Sequence, residues 1–140
     1  MTYKEWFINQ ANLHKKVIEK LSNLTQKEII EYFSYDNMKK CEENFCLLYK
    51  DNKKCHDIEN LNCYLCACPY FRFNDSGLKN EDEKIVFSFC SINSKYGAKF
   101  EFENKIHQDC SNCIIPHKIA FIKKNFDKNW LNIMKDCELN

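Results

Sequence analysis

The sequence predicts an α+β fold: a small metal-stapled, cysteine-rich core with a short β-hairpin, flanked by an N-terminal helical pair and a C-terminal helix. Three observations carry this expectation. Two capping boxes open apolar runs of helical period near the N-terminus, nine of the ten cysteines crowd into residues 41–113, and apolar residues return at steps of three and four after Pro116. At 140 residues the chain is long enough for one core and too short for two catalytic domains. We divide it into a helical extension over 1–40, packed on the core, and a cysteine-rich metal-binding domain with its terminal helix over 41–140.

Thr2-x-x-Glu5 and Thr25-x-x-Glu28 both match the capping box, in which the hydroxyl accepts from the third helical N–H and the carboxylate reaches back to the cap. Trp6, Phe7, Ala11, His14, Val17, Ile18 and Leu21 then recur on one face, and Leu24, Ile29, Ile30 and Phe33 supply a second. These predict helices over about 2–22 and 25–38. His14, with no cysteine near it in sequence, reads as a half-buried helical histidine rather than a ligand.

The segment from Cys41 to Cys113 changes character and has few long periodic runs, as expected of loops held by something other than apolar packing. Within it, residues 84–90 alternate like a strand, and Gly97 to Phe102 is expected to pair with them across a turn at 93–97. After Pro116, residues Ile119, Ile122, Phe126, Trp130, Ile133 and Cys137 mark the buried face of a terminal helix, with Cys137 as a core residue.

Composition excludes several functions. Only 2 Gly and 2 Pro leave no glycine-rich loop for phosphate or dinucleotide binding. A net charge of +1 with no basic stripe speaks against nucleic acid, although Tyr64, Tyr70, Phe71 and Phe73 could stack on bases; they read instead as a cover for the metal core. No apolar run approaches the ~20 residues that span a bilayer, and residues 1–20 carry lysines and glutamates where a secretory signal needs an apolar block. The expectation is a cytoplasmic protein with reduced thiols, and the heavy use of Lys and Asn beside a single arginine, Arg72, suggests a bacterial source.

Reduced thiols at these spacings are metal ligands. Cys63-x-x-Cys66 and Cys110-x-x-Cys113 are two turns of the kind that direct both sulfurs to one point, and two such turns facing each other would make a tetrahedral zinc site. Cys46, Cys55, His56, Cys68, Cys90 and His117 remain as further donors, enough for a second centre, so two zinc ions are expected. Cys68 belongs to the second, since a one-residue gap after Cys66 turns its side chain away in an extended segment. Cys41 reads as a spare thiol. The alternative cofactor is an iron–sulfur cluster, although the ferredoxin run of four spaced cysteines is absent and the histidines favour zinc.

The run Cys55-His56 through Asn62-Cys63-x-x-Cys66-x-Cys68-Pro69 to Asp109-Cys110-Ser-Asn-Cys113-x-x-Pro116-His117 resembles the cysteine-rich small domain, a zinc-finger-like family of bacteria and archaea. The likeness covers about 46–125; residues 73–89 look like an insertion, and Ser91-Ile92 follow Cys90 where the family pattern has Gly-Gly. The resemblance implies a metal-binding domain, found alone or attached to enzymes of cobamide assembly and salvage, with no reaction of its own. Enzyme signatures are thin: neither the His-Glu-x-x-His helix nor the deaminase pattern of catalytic zinc occurs. The expected function is a non-catalytic accessory or interaction module that binds zinc and a protein partner. The alternative is an iron–sulfur or metal-handling protein in redox or cofactor chemistry.

Overall fold

The computed structural model describes residues 1–140. Helix α1 runs over Tyr3–Lys20 and α2 over Gln26–Tyr32, and both open on the capping boxes that the sequence predicts: Thr2 accepts from the Glu5 N–H, Thr25 from the Glu28 N–H, and each glutamate reaches back to its cap. The second predicted helix is interrupted. It ends at Tyr32 and restarts as α3, Tyr35–Cys41, with Ser34 capping the Asn37 N–H. The break has a long-range cause, because the Phe33 carbonyl accepts from the Cys63 N–H and the Tyr35 N–H donates to the Leu61 carbonyl. The segment leading into the first Cys-x-x-Cys turn takes the two backbone groups that a continuous helix would have used.

A 3-10 turn over Leu47–Asp51 leads into the cysteine-rich half, which contains six short strands: β1 Phe71–Phe73, β2 Lys79–Glu81, β3 Lys84–Val86, β4 Ser88–Cys90, β5 Ala98–Phe102 and β6 Lys105–Asp109. They form two sheets. β1 pairs antiparallel with β4, placing Phe71 opposite Cys90, and the second sheet has the order β2-β3-β6-β5 with β3 parallel to β6. This corrects the predicted hairpin. The alternating run 84–90 is shared between the two sheets, and 97–102 pairs with β6 rather than with it. Both outcomes turn on tight turns without glycine: Asp82-Glu83 and Glu103-Asn104 all have positive φ, the geometry that closes two-residue hairpins.

The predicted terminal helix is also two pieces, α4 Ile119–Lys124 and α5 Trp130–Ile133, and Cys137 lies beyond both. Its side chain is nevertheless 1% exposed and part of the core, where its thiol donates to the Cys68 carbonyl. One apolar cluster joins Val17, Leu21, Ile29, Ile30, Phe33 and Met38 to Ile122, Trp130 and Met134, so both ends of the chain share it. The first Cys-x-x-Cys turn is pinned to this core by its own inner residues. Tyr64 and Leu65 are fully buried, and the Tyr64 ring meets Phe33, His14 and Phe126. His14 is completely buried among Phe33, Tyr64 and Trp130, as a core histidine. No helix is long and apolar enough to cross a membrane.

Candidate metal centre

Among the His, Cys, Asp and Glu side chains, one trio has its ligand atoms all within 4.8 Å of one another: Cys55, His56 and His117. Cys55 and His56 follow the 3-10 turn, and His117 ends a second 3-10 turn over Ile115–His117 that starts beside Pro116. The two chain segments are 62 residues apart and meet at the Cys55 sulfur, which is 3.1 Å from His56 Nδ1 and 3.6 Å from His117 Nε2.

The far side of each ring fixes its tautomer. His117 Nδ1 lies 2.9 Å from the Asn62 carbonyl and His56 Nε2 lies 2.9 Å from the Cys110 carbonyl. A carbonyl can only accept, so each of those nitrogens carries the ring proton, and the opposite nitrogen presents a lone pair to Cys55. Two lone pairs therefore converge on a thiol that holds at most one proton. Protonating His117 would not relieve the conflict easily: burial holds its pKa below the ordinary imidazole value, the Asn62 carbonyl only partly offsets this, and His56 reinforces it. A divalent cation satisfies all three donors at once, and ring N–H groups held by carbonyls are the usual supporting contacts of histidine ligands. Tetrahedral zinc, with Zn–N near 2.1 Å and Zn–S near 2.3 Å, sets N···S at about 3.6 Å. His117 meets that spacing and His56 is half an ångström inside it, at 3.6 and 3.1 Å.

The remaining donors other than Cys90 fall into two groups around the trio. Cys46, Cys63 and Cys66 share a small pocket of about 40 Å³ with Cys55 and His117. A larger cavity of about 410 Å³ is walled by Cys55, His56, Cys66, Cys68, Cys110, Cys113 and His117, under an apolar lid of Tyr3, Trp6 and Phe71. All ten cysteines are free thiols. Burial pushes the Cys63 and Cys110 thiols up to about 12 and raises Cys66, with neighbouring sulfurs adding to the effect; Cys55 is raised in the same way although the residue is exposed. Neutral thiols are what a buried cluster without a cation must be, and a bound metal would reverse that preference.

The two Cys-x-x-Cys motifs do form turns, closed by Cys66 N–H to the Cys63 carbonyl and by Cys113 N–H to the Cys110 carbonyl. Their four sulfurs are not the set that meets. Between Cys66 and Cys68 the segment is not extended either. Ala67 has φ 89°, a left-handed conformation that costs a non-glycine residue on the order of 1–3 kcal/mol. Cys66 and Cys68 both line the larger cavity, and Cys66 alone of the two also lines the small pocket. Cys41 is exposed, and its thiol donates to Asn37 Oδ1 at 3.6 Å.

Sequence reasoning missed one contributor to the centre. Asn62 orients His117 through its carbonyl while its own side chain bridges the Ile30 carbonyl and the Tyr64 N–H; its place next to Cys63 was the available signal. His107, which nothing in the sequence singled out, sits outside the centre against the Tyr3 hydroxyl, which also bonds Ser88. No family model matches the chain, and neither do any curated protein or solved structure.

Proposed function

We propose that the protein is a metal-binding module of the bacterial cytoplasm in which zinc, held by Cys55, His56 and His117 with Cys66 as fourth donor, fixes the cysteine-rich half as a surface for a protein partner. The observation that carries this reading is the pair of carbonyl-fixed imidazoles aiming lone pairs at one thiol. Cys66 is the fourth donor because it alone among the remaining cysteines lines both cavities with Cys55 and His117. Four protein ligands make a closed structural site, without the open position that catalysis by zinc needs. A non-catalytic role fits that closure. Phe100 and Phe102, exposed on the edge strand β5, supply apolar surface suited to a protein partner and none suited to a polyanion.

Elemental analysis of the purified chain tests the reading. Zinc should be present and should fall by about one equivalent in Cys55→Ser and in His117→Ala, while Cys41→Ser retains the full content. A chain free of zinc, or one whose zinc survives both substitutions, would contradict it. A second reading, an iron–sulfur or metal-handling protein serving redox or cobamide-related cofactor chemistry, draws on the 410 Å³ cavity walled by five thiols, more room than one zinc ion uses. Iron with inorganic sulfide in the same analysis would select it.

A further inference from the structure

We propose that Cys68, Cys90, Cys110 and Cys113 form a second, all-thiolate metal centre, so that the two Cys-x-x-Cys turns serve different centres rather than facing each other in one. The inference rests on the reading of the protein as a metal binder and adds which side chains hold the other metal.

Backbone contacts bring the four residues into one neighbourhood from three separate segments, although no three of their sulfurs lie as close together as the ligand atoms of Cys55, His56 and His117. The Phe71 N–H donates to the Cys68 carbonyl, and Phe71 is the strand partner of Cys90, so Cys68 sits one turn ahead of the residue facing Cys90. The end of β4 is then tied to the end of β6: the Cys90 N–H donates to Gln108 Oε1 at 3.1 Å, and the Gln108 N–H donates to Ser88 Oγ at 2.7 Å. Cys110 follows β6 directly, and Cys113 is folded back on it by the turn. From the loop after Cys90, Ser94 Oγ reaches to 3.6 Å from the Cys113 sulfur.

The cavities divide the donors along the same line. Cys68, Cys110 and Cys113 line the 410 Å³ cavity and not the 40 Å³ pocket, whereas Cys46 and Cys63 line only that pocket. Cys137, also beside Cys68, is excluded by its place in the apolar core, where its thiol is already spent on the Cys68 carbonyl. Four thiolates without histidine suit thiophilic metals, whether one zinc that draws the sulfurs inward or an iron–sulfur core that bridges them. The two metals share the ligand set.

The test is metal stoichiometry on the full chain purified without oxygen, with iron, zinc and sulfide all quantified, combined with cobalt(II) substitution. Wild type should carry two centres. Cys90→Ser should lose one and leave cobalt in mixed nitrogen–sulfur ligation, and His117→Ala should lose the other and leave cobalt in all-sulfur ligation. Retention of both centres in Cys90→Ser, or loss of the same centre in both variants, would overturn the proposal. A wild-type chain with a single centre that His117→Ala removes and Cys90→Ser does not would defeat this inference and leave the proposed function standing; no metal at all would defeat both. A measurement without variants guards against misfolding: during chelator titration of the wild type, mapped alkylation should release Cys68, Cys90, Cys110 and Cys113 together, as a phase distinct from Cys55. Release of Cys110 and Cys113 together with Cys63 and Cys66 would overturn it.

Discussion

The helical end of the molecule and the stretch from 74 to 121 differ in how much apolar side chain they bury. Val17, Leu21, Ile29, Ile30, Phe33 and Met38 bury their side chains in one cluster that Ile122, Trp130 and Met134 complete. Between 74 and 121 the buried residues are only Val86, Ser88, Ile106, Cys113, Pro116 and His117, and every residue of β5 is exposed. At about 25 cal/mol per Å² of buried apolar surface, such a lobe gains little from water exclusion. In the proposed reading it compensates with donors. Cys90, Cys110, Cys113 and His117 all fall in this stretch, and Cys55 and His56 are joined to it through His117 and the Cys110 carbonyl. The contrast teaches that, with the proposed metals bound, one chain would divide its stabilisation between apolar burial and ligation.

Metal removal should show the largest difference between the two regions. Structural zinc contributes roughly 10 kcal/mol or more of apparent binding energy, so a strong chelator at neutral pH should abolish near-UV signal from the cysteine-rich lobe while far-UV helical signal persists. Next in size is a change confined to the apolar side. Trp130 is 2% exposed and packs against Phe7, so Trp130→Ala should cost about 3–5 kcal/mol in denaturant unfolding yet leave the metal content intact.

A pH effect of smaller size belongs to the same side. Burial depresses the His14 pKa to about 4, below its unfolded value of about 6.5. Between these values the unfolded chain binds the proton and the folded chain does not, so stability is full above about pH 6.5 and is lost as pH falls toward 4, by at most about 3 kcal/mol. His14→Leu should flatten that part of the profile, measured on metal-free protein so that ligand protonation does not contribute. The smallest expected effect is at Ala67, whose left-handed φ glycine adopts freely: Ala67→Gly should stabilise or leave stability unchanged within about 1 kcal/mol, and a loss of metal in that variant would show that the twist between Cys66 and Cys68 also needs the methyl group.

Local signals were legible in the sequence. The capping boxes at Thr2 and Thr25 were readable because their partners lie three residues away, and the two Cys-x-x-Cys turns for the same reason. Cys137 was assigned to the core correctly, although the helix that periodicity gave it stops short of it, and His14, read as a half-buried non-ligand, is completely buried. What was not legible depends on distant partners. The helix break at Phe33–Ser34 is imposed by residues 61–63, and the run 84–90 is divided because β1 takes one half while β2 and β6 take the other. His56 and His117 were visible as donors, but their convergence on Cys55 rather than on the cysteine turns comes from the tertiary fold.

Hydrogen exchange on the metal-loaded and the chelated chain, read by residue, tests most directly that ligation holds one region and apolar packing the other. Chelation should strip protection from β3, β4 and β6 and from the Cys110–Cys113 turn while α1 and the Ile29–Phe33 segment keep theirs. Equal loss in both regions, or protection in β6 that survives verified metal removal, would contradict the division.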